Sequence, residues 1–183
     1  KYDPQLGENR QMKHTIMIDE RSIAERVASL AEQICNDYKG KQIALVAVSN
    51  GAFIFAADLF RKLPHDTYFD SVKASSYKAA KRGELVLKET FNIDLNGKHV
   101  LLVDDILDSG VTLSNIAKYL KSLDVASLRT CVMLDKPEGR VCDFHADYIG
   151  FQVEDLFIIG YGLDYDQKYR NLPYISYLQN EGK

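Results

Sequence analysis

One segment leaves this chain few architectures to choose from: His99 to Leu113, HVLLVDDILDSGVTL. Val100-Leu101-Leu102-Val103 shows neither the alternation of a half-buried strand nor the 3.6-residue period of a surface helix. A run like this is a strand covered on both faces, as in a parallel sheet. The expected strand, His99 to Ile106, ends in charge at Asp104 and Asp105, and a tight polar loop follows, Asp108-Ser109-Gly110-Val111-Thr112. Leu113, Ile116, Ala117 and Leu120 then share one face of a helix predicted over Thr112 to Leu123.

The rest of the chain repeats this alternation. A short strand at Thr15–Ile18 precedes an amphipathic helix, Arg21 to Tyr38, with Asp19 or Ser22 as its cap and a stop at Lys39-Gly40-Lys41. Gln42 to Ser49 is a second apolar run of strand length, broken by Asn50-Gly51. A helix over Ala52 to Leu63, a less apolar strand over Thr67 to Ser76 and a possible strand over Leu85 to Ile93 follow, with Lys78 to Glu84 as an exposed loop. Leu128 to Leu134 is another apolar strand, Asp135 to Arg140 a polar turn, and Tyr148–Phe151 and Phe157–Gly160 are short strands. The tail, Tyr161 to Leu178, reads as irregular. Strands alternating with helices predict an α/β chain of one domain, a central mainly parallel sheet flanked by helices. Ligands in such folds bind beyond the carboxyl ends of the strands.

Charge and cysteine content exclude several roles. A net charge of -3 and no basic run argue against nucleic acid as a partner. Cys35, Cys131 and Cys142 are too few and too far apart for a disulfide framework or a zinc site, and Cys131 reads as a core residue. The start, KYDPQLGENRQ, lacks a signal-peptide pattern and no apolar segment reaches the length of a membrane span, so the expected setting is the cytoplasm, with no membrane partner.

The loop Asp108 to Thr112 has what a phosphate cradle needs. Gly110 permits close backbone approach, a helix start presents N–H groups, and Ser109 and Thr112 add hydroxyls. Neither GxGxxG nor GxxxxGK[ST] is present, so this is a phosphate loop of another type. The bland alternative is a plain helix cap by Asp108 or Ser109. A cap alone leaves Asp104 and Asp105 unexplained, because adjacent carboxylates need a cation or hydroxyl groups against them.

On these residues the chain resembles the type I phosphoribosyltransferases, whose PRPP-binding signature has the same order: apolar residues, an acidic pair, two spacers and a short Asp-Ser-Gly-x-Thr loop. Leu134–Lys136, Asp147–Phe151, the Ser76-Tyr77 pair and DLFIIGYGLDYDQKYRNLP at Asp155–Pro173 are similar to hypoxanthine(-guanine) phosphoribosyltransferases in particular. The resemblance spans nearly the whole chain. It implies the type I fold, with a small hood built from about residues 1–18 and 137–183. It also implies Mg²⁺-dependent transfer of a phosphoribosyl group from PRPP to N9 of a 6-oxopurine, by a homodimer or homotetramer.

Carried over residue by residue, Asp108 is the implied general base. Asp104 and Asp105 hold the ribose hydroxyls, directly or through Mg²⁺, and Ser109, Gly110, Val111 and Thr112 hold the 5′-phosphate. Lys136 donates to the purine 6-oxo group, as a donor-only ammonium suits; without the resemblance it reads as a solvated turn lysine. Phe157 stacks on the base and Ile158 and Asp164 meet its edge, although a core aromatic is the plainer reading of Phe157. Asp164 also places a second Mg²⁺. Asn50, Gly51, Ser76, Tyr77 and Arg170 meet pyrophosphate, and Asn50-Gly51 falls where the family has a non-proline cis peptide. Two positions depart from the pattern: Ser49-Asn50-Gly51 replaces Leu-Lys-Gly, and Asp104 replaces a Glu, which shortens its reach.

Three rivals remain at this point. A non-catalytic PRPP-sensing regulator of the same fold would want a basic surface. A receiver-type domain carries its acidic pair early in the chain. A prenyl-diphosphate enzyme with DDxxD would be all helical.

Overall fold

The computed structural model describes residues 13–73 and 91–179. Ser76, Tyr77, the loop over 78–84 and most of the strand expected over 85–93 lie outside the described residues, and 91–93 form no strand.

Five parallel strands make the main sheet: β2 (Ile43–Ser49), β3 (Tyr68–Lys73), β4 (His99–Leu107), β5 (Ser127–Asp135) and β6 (Tyr148–Gln152), in the order β3-β2-β4-β5-β6. The apolar runs predict this. In β2 and β4 successive side chains enter opposite cores, so neither face can be polar. Leu45, Ala47, Leu101 and Val103 join one core with α1 (Glu20–Asp37) and α2 (Phe53–Phe60). Ala44, Val46, Val100 and Leu102 join the other with α3 (Val111–Lys121). Asp19 caps α1 by accepting the Ser22 N–H at 2.8 Å. The helix ends at Asp37 and Gly40 carries the turn at φ 73°. The second helix is shorter than its apolar pattern suggested, because residues 61–63 turn toward Pro64.

A small antiparallel sheet, β1-β8-β7, joins β1 (His14–Ile18) to β7 (Ile158–Ile159) and β8 (Ile175–Leu178). The segment 175–178 was expected to be irregular. It is a strand because β1 and β7 offer it partners on both sides, information its own four residues do not carry. The two chain ends thus meet in a hood, as expected. Residues 148–152, expected within that hood, instead form the edge of the main sheet.

The chain runs from β2 outward to β3 and then crosses back to β4 on the other side of β2. The strand order therefore reverses between β2 and β4. Their carboxyl ends frame the crevice in which doubly wound sheets bind ligands.

Candidate active site

That crevice is a cavity of about 320 Å³. Ser49 and Gly51 line it from the end of β2, Asp104 to Gly110 from β4 and its loop, Thr112 and Leu113 from α3, and Asp164 and Arg170 from the tail. Three stretches distant in sequence meet there, and most of the residues singled out from the sequence are among them. Asn50, Val111, Lys136, Phe157 and Ile158 do not line the cavity, and Val111 is 44% exposed as the first residue of α3.

The acidic pair does not end its strand. β4 continues through Asp104 and Asp105 to Leu107, and Asp104 stands opposite Val132 in the ladder. Asp104 is only 7% exposed. It accepts the N–H of Asp105 at 2.9 Å, and Asp105 accepts the N–H of Ile106 at 2.9 Å. Burial first, and then the neighbouring Asp105 charge, push the Asp104 carboxyl well above the ordinary carboxylate range. Burial raises Asp105 as well, opposed in part by the Arg170 guanidinium. A buried carboxylate beside a half-buried one at a cavity wall is costly in the free protein and fits a cation or a polyol. Among the described residues, no three His, Cys, Asp or Glu side chains cluster into a metal cage. Mg²⁺ does not require one, since it uses one or two carboxylates and completes its shell with substrate oxygens and water.

The loop after β4 is open at its helix end. Gly110 is the N-cap residue of α3, at φ 79°, and has no side chain to cap the helix; Ser109 Oγ accepts the Val111 N–H at 3.4 Å. The expected cap by Ser109 is thus present in a weak form on the first N–H, and the Thr112 and Leu113 N–H groups of the first turn are left for an anion. Only glycine fits at 110, because a Cβ would lie 2.9 Å from both the Arg140 side chain and Cys142 Sγ.

Close packing explains two further glycines at the site. A Cβ on Gly51 would lie 1.9 Å from the Asp105 carboxylate, and one on Gly162 2.1 Å from the Gly51 carbonyl. Asp105, Gly51 and Gly162 therefore stack backbone on carboxylate. The cis peptide is Ser49-Asn50, one bond before the position expected from the sequence. Arg170 closes this corner: it donates to the Gly162 carbonyl at 2.7 Å and pairs with Asp164 at 2.9 Å. Asp164 also accepts the Gln167 N–H at 2.9 Å.

The other side of the site is held by side chains. Lys136 is not a solvated turn lysine, for its side chain is 12% exposed and its Nζ lies 2.5 Å from Asp155 and 3.8 Å from Asp108. It also donates to the Leu156 carbonyl at 3.4 Å, beside Phe157. Phe157 is 54% exposed and makes an edge contact with Tyr165, ring centroids 5.5 Å apart. Ile158 is buried in β7. Asp155 and Tyr165 were not anticipated. An acid nineteen residues beyond Lys136 gives no local signal of pairing with it. Nor was Arg140, which had been read as part of a polar turn. Asp135, assigned to the same turn, is the buried last residue of β5, and Arg140 pairs with it.

The phosphoribosyl transferase domain model matches residues 15–166, well over half of the chain. This chain belongs to the phosphoribosyltransferase family. Within the family it is similar to a hypoxanthine phosphoribosyltransferase of Salmonella typhimurium, 43% identical over 174 residues, with 90% of this chain and 96% of that one aligned. A hypoxanthine-guanine phosphoribosyltransferase of Streptococcus pneumoniae is 39% identical over 168 residues, covering 91% and 93%. A crystal structure of a hypoxanthine-guanine phosphoribosyltransferase from Bacillus anthracis superposes with a TM-score of 0.83 at 41% identity, covering 92% of this chain and 99% of that one. These relatives are named as enzymes, which favours a catalytic phosphoribosyltransferase over a regulator of the same fold. None of its helices among the described residues is long and apolar enough to cross a membrane.

Proposed function

We propose that this phosphoribosyltransferase transfers the 5-phosphoribosyl group of PRPP to N9 of hypoxanthine, and of guanine as well, releasing pyrophosphate. The observation that carries the reading is the Lys136 ammonium, held 3.8 Å from the carboxylate of Asp108, a residue that lines the cavity. An ammonium can only donate, so it reads a 6-oxo group and finds no acceptor on a 6-amino group. The carboxylate beside it is placed to take a proton from the same base.

In this reading the backbone of Ser109 to Thr112 and the first turn of α3 bind the 5′-phosphate. Asp104 and Asp105 orient the ribose hydroxyls. Asp108 accepts the purine N7 proton as the bond from N9 to C1′ forms and that from C1′ to pyrophosphate breaks. Its negative charge also stabilises positive charge developing on the ribose. Phe157 stacks on the base, and the backbone at Ile158, with Asp164, meets the base edge. Arg170 and the Gly51 backbone receive the pyrophosphate, a charge Arg suits through its paired N–H donors. Asp104, Asp105 and Asp164 would hold Mg²⁺, which when bound offsets charge on the diphosphate.

A steady-state assay with PRPP, Mg²⁺ and each of hypoxanthine, guanine, xanthine and adenine tests the proposal. Turnover of hypoxanthine, with adenine slower by orders of magnitude, is expected. Efficient formation of adenosine monophosphate would overturn the role given to Lys136.

A further inference from the structure

The peptide groups of the phosphate loop are held from behind. The Leu107 carbonyl accepts the Lys136 N–H at 2.9 Å and Arg140 Nη2 at 3.3 Å. Next along, the Asp108 carbonyl accepts Arg140 Nε at 2.8 Å. The Ser109 carbonyl accepts the Val141 N–H at 3.1 Å. Three successive carbonyls thus point toward the segment 136–141. In a trans peptide the carbonyl and the following N–H point in opposite directions. The N–H groups of Asp108, Ser109 and Gly110 are therefore turned away from Arg140, on the side where these residues line the cavity.

Arg140 is built to hold this arrangement. Its side chain is 13% exposed, and it also bonds the Asp135 carboxylate and the Phe144 carbonyl. Asp135, its charge partner, is itself 6% exposed at the end of β5, beside Leu107 in the ladder. A guanidinium satisfies several oxygens at fixed angles, which an ammonium cannot do.

We propose that Arg140, anchored on Asp135, is a positioning residue that aims the N–H groups of the phosphate loop at the substrate phosphate. The inference rests on the reading of this cavity as the 5′-phosphate site. Arg140 touches neither substrate nor reacting atoms; it acts through the carbonyls of Leu107 and Asp108.

The test compares binding of inosine 5′-monophosphate with binding of inosine, by calorimetry, in wild type, Arg140→Met, Arg140→Lys and Asp135→Asn. A displacement of about 1 Å at a positioned group costs on the order of 100-fold. Arg140→Met should lose about that factor for the nucleotide, with inosine little changed. Arg140→Lys and Asp135→Asn should fall between it and wild type. In turnover, KM for PRPP should rise while KM for hypoxanthine holds. Should Arg140→Met fail to fold, Arg140→Lys and Asp135→Asn decide by the same ratio. Equal losses for nucleotide and nucleoside, or no loss for either, would overturn the role of Arg140. A wild-type protein that prefers the nucleotide but turns over no purine would sink the transferase reading and leave the Arg140 ratio decisive. A wild type without that preference would sink both.

Discussion

The two halves of this site are made of different materials. The half proposed to bind phosphate is backbone: a loop between a central strand and a helix, its carbonyls held from behind by Arg140 and Val141, with Gly51, Gly110 and Gly162 where packing leaves no room for a Cβ. The base half is side chain: Lys136, Asp155, Phe157 and Tyr165, reaching in from β5, the hood and the tail. A backbone site is fixed by the sheet and recognises what all substrates of the fold share. Side chains can be exchanged without disturbing the sheet, so selectivity for one base belongs to the second half. Asp108 stands at the junction, on the phosphate loop but 3.8 Å from Lys136.

Breaking the junction should have the largest effect. Asp108→Asn keeps the shape of the loop and removes the proposed proton acceptor. General base catalysis typically contributes about 10²–10⁴-fold, so kcat should fall by that order. KM for PRPP should change little, since the phosphate is bound by main chain. A mutant that retains the wild-type rate would remove Asp108 from its role, and one that loses PRPP binding instead would move it wholly into the phosphate half.

Altering the base half should be milder and one-sided. Lys136→Ala removes a donor to the 6-oxo group and leaves Asp155 unpaired. A hydrogen bond with one charged partner is worth about 1.5–3 kcal/mol, or roughly 10- to 100-fold. KM for hypoxanthine should rise by this factor, with KM for PRPP within error of wild type. Equal rises in both would show that the two halves are not separable at Lys136.

The same division explains what could be read from sequence. The main sheet was legible because β2 and β4 are continuous apolar runs that no other environment accepts. The phosphate loop was legible because its residues are contiguous, so that spacing alone carries the chemistry. The base half was not, because its meaning lies in pairs far apart in the chain. Lys136 becomes a buried donor only through Asp155, and Arg140, which closes the expected turn, has its side chain held inward through Asp135. β8 is a strand because β1 and β7 flank it, and ISYL alone has no such reason. The acidic pair lines the cavity, and its place in the strand differs from the expectation. It belongs to the body of β4, which is why Asp104 is so deeply buried.

That burial leads to the smallest expected effect, and to the one that separates stability from function within the phosphate half. The Asp104 carboxyl is raised above its ordinary value by burial and by the charge on Asp105. Below an unfolded-state value of about 3.9, both folded and unfolded chains hold the proton and no penalty exists. As pH rises past the folded-state value, the folded chain must keep a buried charge that the unfolded chain keeps in water, so the penalty is fully present at higher pH. Asp104→Asn removes that charge while preserving the shape. In the presence of EDTA the variant should therefore melt higher than wild type near neutral pH. A gain of about 1 kcal/mol corresponds to roughly 2–4 °C in a chain of this length. The gain should disappear below about pH 4, where wild type is already protonated. Turnover with PRPP and Mg²⁺ should fall in the same variant, because the carboxylate that destabilises the free protein is the one proposed to hold the ribose and the metal. A lower or unchanged Tm at neutral pH would mean that the buried pair is already compensated within the fold, and the case for a cation at Asp104 and Asp105 would lose its physical basis.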